Sequence, residues 1–92
     1  MGIDYVIITE DNVYKFLKYD WRDIRWREIF NLINVNLDVI YDNAINFWST
    51  EQIELVYNLL FNLRHKDLQN DIDLLRDLFK GYVDKKSKII VF

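Results

Sequence analysis

Tyr5-Val6-Ile7-Ile8, bounded by Asp4 and Thr9, and Ile89-Ile90-Val91-Phe92 at the far end of the chain are the two runs that decide the fold. Both are short, β-branched and aromatic, and lie between polar residues, the pattern of a buried strand. Between them the apolar residues change to helical spacing. Two end strands around several helices predict a small sheet made by the chain termini and covered by helices. We therefore expect an α+β fold with four to five helices, in one domain over residues 1–92. The alternative is an α/β arrangement on a three-stranded parallel sheet. Only Leu55-Val56-Tyr57 could supply its third strand, and the helical spacing around that tripeptide argues against it.

Working inward, Thr9 or Asp11 can cap a helix carrying Val13, Phe16 and Leu17. Asp20 offers a cap to a second helix, where Trp26, Ile29, Phe30 and Ile33 follow Trp21 and Ile24 as one apolar stripe. Asn34-Val35-Asn36 reads as a turn. Leu37, Ile40, Tyr41, Ala44, Ile45 and Trp48 give a further helical period. Ser49-Thr50-Glu51-Gln52 has the spacing of a capping box and opens a helix with Ile53, Val56, Tyr57, Leu60 and Leu63. A last helix carries Leu68, Ile72, Leu75, Phe79 and Tyr82. Gly81 relaxes its final turn, and Lys85-Lys86 suits a helix end or turn.

Composition narrows the function classes. The chain has one histidine, no cysteine, two glycines and no proline, so nucleophiles, metal ligands and phosphate-cradling loops are scarce. We expect no enzyme, no cofactor and no metal site. His65 stands between Arg64 and Lys66, where a cation would bind poorly, and reads as a solvated loop residue. Hydrophobic residues make up 51% of the chain, with three Trp, six Tyr and six Phe, enough apolar mass for a small core. No disulfide is possible, no signal peptide is apparent, and no apolar run could span a bilayer, so a soluble cytoplasmic protein is expected. A net charge of −3 disfavours nucleic acid and suits a basic protein partner.

Two carboxylate pairs have i, i+4 spacing, Asp38 with Asp42 and Asp73 with Asp77. Each reads first as a solvated acidic face and second as a contact for a basic partner. Trp21-Arg22-Asp23-Ile24-Arg25-Trp26-Arg27 interleaves aromatics with arginines. Its ordinary reading turns the tryptophans to the core and the arginines to water; a protein hot spot and a base-stacking surface are the alternatives.

Two resemblances follow from these segments. Met1-Gly2 through Leu17, the Trp helix Asp23 to Phe30, the helix opening Ser49 to Ile53, and Leu75 through Phe92 resemble, in order, the YfbM-like family of uncharacterised bacterial proteins. That family has longer members and implies no activity. Asn36-Leu37-Asp38-Val39-Ile40-Tyr41-Asp42 and the ending Leu78-Phe79-Lys80 with Ile89-Ile90-Val91 resemble the barstar family of acidic ribonuclease inhibitors. The chain departs from that family at Leu32-Ile33-Asn34-Val35, where Tyr-Gly normally stands, and at Gly81, near an expected acidic contact. By position the resemblance implies that Asp38, Tyr41 and Asp42 bind the partner. The function expected is a non-catalytic immunity protein or antitoxin that occludes a basic toxin, possibly a nuclease. The alternative is a structural or regulatory domain that self-associates through Trp21, Trp26 or Trp48.

Overall fold

A computed structural model describes residues 4–35 and 46–91. Its elements are β1 (Tyr5–Ile8), β2 (Tyr14–Phe16), α1 (Leu17–Trp21), α2 (Trp26–Leu32), β3 (Asn46–Trp48), α3 (Thr50–Asn62), α4 (Gln69–Asp84) and β4 (Lys88–Val91). The terminal strands do pair, Tyr5 with Val91 and Ile7 with Ile89, in the middle of the sheet. That sheet has four strands in the order β2-β1-β4-β3, and every pair is antiparallel. The parallel alternative is thereby excluded, and Leu55-Val56-Tyr57 lies inside α3. Four helices are present among the described residues, giving the α+β class without a fifth helix.

Alternation along the central strands sets which face the helices cover. Tyr5, Ile7, Ile89 and Val91 join the core with Trp48, and the helices contribute Leu17, Trp21, Ile29, Phe30, Ile53, Leu60, Ile72, Leu75 and Phe79. Aromatic rings fill this space. Trp21 lies 5.2 Å from Trp26, 5.8 Å from Phe30 and 5.9 Å from Phe79 between ring centroids. Phe79 in turn reaches Trp48 at 6.5 Å and Tyr82 at 5.4 Å.

Three sequence expectations are corrected. The helix expected after Thr9 or Asp11 is a β-hairpin. Thr9 and Val13 close its loop, Asn12 takes a left-handed φ of 61°, and Tyr14-Lys15-Phe16 pairs with β1. Asn tolerates that conformation, and β1 offers Tyr14 to Phe16 a ladder that no local helix could better. The helix expected from Asp20 to Ile33 is broken at 22–25 into α1 and α2. On one helix Trp21 and Trp26 would project about 140° apart; the break lets both rings reach the same core. Trp48, expected to end a helix, instead lies in β3 opposite Ile89. The other members of that period, Leu37, Ile40, Tyr41, Ala44 and Ile45, lie outside the described residues.

The remaining signals correspond to what is observed. Asn34 takes φ 57° at the turn after α2. Ser49 Oγ accepts from Gln52 N–H while Gln52 Oε1 accepts from Ser49 N–H, a complete capping box. In α4 the stripe Ile72, Leu75, Phe79 and Tyr82 is buried. Gly81 is a helical residue within α4; the left-handed turn before β4 falls to Lys86, at φ 50°.

Candidate functional site

Asp38, Tyr41 and Asp42, the residues expected to contact a partner, lie outside the described residues.

Among the described residues, a hollow lined by both polar and apolar groups lies where the β1–β2 hairpin crosses α4. It measures about 340 Å³ and is lined by Ile7, Thr9, Val13, Lys15, Asp20, Asp77, Leu78, Gly81, Tyr82 and Lys85. Register places Lys15 opposite Ile7, on the helix-covered side of the sheet, where its Nζ lies 2.9 Å from Asp20 Oδ1. Trp21 Nε1 donates to the Tyr82 hydroxyl at 3.2 Å. Burial drives the Tyr82 pKa far above the usual phenol range; the Trp21 hydrogen bond opposes the shift and the nearby Asp20 carboxylate adds to it. Tyr82 is therefore held protonated and structural, unsuited to acid–base work at neutral pH. Gly81 borders the hollow with open space where a Cβ would stand. This arrangement can receive an apolar group beside a compensated ion pair, which is recognition chemistry.

Other titratable groups are likewise engaged in structure. Asp71, on α4, accepts from the Arg25 backbone N–H at 2.9 Å and from Arg25 Nε at 3.0 Å, so it caps the start of α2 from across the fold. The backbone hydrogen bond, then the guanidinium, holds its carboxyl below the usual range. Sequence reading assigned that cap to Asp20. Nothing in local spacing links Asp71 to Arg25. His65 is half-buried, and its Nδ1 accepts from the backbone N–H groups of Asp67 and Leu68, so it caps the approach to α4 and is not merely a solvated loop residue. Asp73 and Asp77 flank Arg76, at 3.4 and 4.0 Å, and Asp73 also accepts from Gln69. That pair is an acidic face partly compensated from within, one guanidinium to two carboxylates. No group of three or more His, Cys, Asp or Glu that could hold a metal ion occurs among the described residues.

The Trp–Arg segment divides as its ordinary reading expects. Trp21 is buried and Trp26 half-buried, while Arg22, Arg25 and Arg27 are exposed. The Arg27 guanidinium lies over the Trp26 ring at 4.4 Å and donates to the Tyr5 hydroxyl. Trp48 is buried too. Trp21 and Trp48 thus belong to the core, which leaves Trp26 as the partly accessible one of the three tryptophans. The sheet face opposite the helices carries an apolar hollow lined by Val6, Ile8, Tyr14, Lys15, Phe16 and Ile90. No helix among the described residues is long and apolar enough to cross a membrane. Against protein-family models, curated proteins and solved structures alike, the chain finds no match.

Proposed function

We propose that this chain is a non-catalytic binding protein, most concretely an immunity protein or antitoxin that neutralises a basic toxin by occluding its active site. The observation that supports the reading is the disposition of charge. Asp20, Asp71, Asp73 and Asp84 are each tied to a lysine or arginine of the same fold, while the chain as a whole carries a net charge of −3 and holds Asp38 and Asp42 at i, i+4 spacing. In sequence that motif falls between α2 and β3, whose Phe30 and Trp48 rings lie 5.8 Å apart.

The mechanism is steering followed by occlusion. Two carboxylates draw a cationic cleft and take the place of substrate phosphate, and Tyr41 supplies the apolar anchor of the contact. The toxin's arginines and lysines are then unavailable for substrate.

Affinity capture from the native cell is expected to recover a basic toxin in stoichiometric amount. Replacing both Asp38 and Asp42 by Ala is expected to slow association at low salt and to abolish protection. A capture with no such partner, together with full protection by the double variant against every neighbouring toxin, refutes the proposal.

A further inference from the structure

An amphipathic helix normally turns one polar face to water, and α3 does not. Ile53, Val56 and Leu60 are buried against the core, yet Leu55 is 61% exposed on the outer side and Leu59 is 40% exposed on the flank beside it. These two leucines stand at i and i+4, one above the other, forming a short outward ridge. Asn58 and Asn62 flank it, and both are exposed. The charges at the helix ends have opposite sign. Glu51 and Glu54 lie in its first half, and Arg64 and Lys66 follow its last residue, all exposed. Arg64 is held at the C-terminus, where its Nη1 donates to the carbonyls of Phe61 and Leu63 at 3.0 and 2.8 Å.

We propose that this ridge is a homodimer contact in which α3 packs antiparallel to α3 of a second copy about a twofold axis. A surface with acid at one end, base at the other and leucines between them is complementary to itself when reversed. With Leu55 facing the partner's Leu59, the second Leu pair follows by symmetry. Glu51 then lies level with the partner's Leu63 and beside the partner's Arg64. Two such ion pairs form, and the opposed helix dipoles add to them. The α3 helix is about 20 Å long, so one helix pair covers less than the roughly 1,200–2,000 Å² of a standard interface. The dimer is accordingly weak, with dissociation in the micromolar range or above, and salt-sensitive. The proposal uses no residue of the Asp38–Asp42 motif.

Sedimentation of the whole chain from about 5 to 500 µM, a range chosen to bracket a weak interface, tests the proposal. Wild type is expected to pass from monomer to dimer, and Leu55→Asp and Leu59→Asp to raise Kd by about tenfold or more. Both positions are exposed, so circular dichroism is expected to be unchanged. Glu51→Arg and Arg64→Glu should each weaken the dimer, and the two combined in one chain should restore it. Because the chain has no cysteine, an equal mixture of Glu51→Cys and Arg64→Cys proteins should form a mixed disulfide, while neither alone should, since like positions lie about 18–21 Å apart along the helices. A monomer at every concentration overturns the proposal. So does a dimer indifferent to the leucine substitutions, or one trapped by a single cysteine variant alone.

Discussion

Phe79 joins the two halves of the core, and its truncation measures how far the fold depends on aromatic packing. The side chain is fully buried on α4 and lies within 6.5 Å of Trp21, Phe30, Trp48 and Tyr82, measured between ring centroids. It therefore ties α4 to α1, α2 and β3 at once. Phe79→Ala removes the ring and leaves a cavity that four rigid neighbours cannot collapse into, at a cost of about 3–5 kcal/mol. Phe79→Leu keeps most of the volume and loses the ring-edge geometry, so about 1.5–2.5 kcal/mol is expected. A chain of 92 residues has about 5–14 kcal/mol of total stability, so the alanine variant forfeits a large share. Urea unfolding followed by tryptophan fluorescence is the assay, since Trp21 and Trp48 both border the site. With a slope near 1 kcal/mol/M, the leucine variant should unfold about 2 M earlier with an unchanged slope. A loss below about 1 kcal/mol for Phe79→Ala, against the usual range for a buried phenylalanine, refutes the claim that this ring holds the two halves together.

Four further outcomes follow from individual contacts. Ser49→Ala removes the acceptor for Gln52 N–H and should cost about 1 kcal/mol, a drop of several degrees in Tm by calorimetry. Asp71→Asn should cost about 1 kcal/mol at neutral pH by weakening the charge-assisted cap on Arg25. Because the folded-state pKa of Asp71 lies below its unfolded value, that contribution is present above about pH 4 and is lost as pH falls through the folded pKa. Chemical denaturation at a series of pH values should show the wild-type advantage shrinking on that acid limb; a constant gap contradicts the assignment. Lys86→Gly should stabilise by about 0.5–1 kcal/mol, since Lys86 holds a left-handed φ of 50° that glycine adopts without strain. Ser87 is fully buried and its Oγ has no partner among the described residues, so Ser87→Ala should be neutral or stabilising in the same melts. A loss above about 1 kcal/mol, the worth of one hydrogen bond, would show that the hydroxyl is bonded.

What was legible in the residues alone is what depends on near neighbours along the chain. The Ser49–Gln52 box joins positions three apart, the α4 stripe repeats within two turns, and the Asn34 turn interrupts a local period. The end strands were also legible, because Tyr5–Ile8 and Ile89–Val91 are too short and too β-branched to stand as helices. Asp38, Tyr41 and Asp42 rest on i, i+4 spacing and resemblance alone and lie outside the described residues.

Tertiary structure decided the rest, because the competing choices cost nearly the same locally and differ only in distant partners. Val13, Phe16 and Leu17 fit a helical period, but Tyr14 to Phe16 gains ladder bonds only once β1 is in place. The break between α1 and α2 becomes favourable when Trp21 and Trp26 can share one core. Trp48 joins β3 because β4 offers an edge, and Asp71 caps a helix 46 residues earlier in the chain. Local spacing carries no record of such contacts. The free energy that selects them comes from burial and hydrogen bonding between segments that meet only in the folded chain.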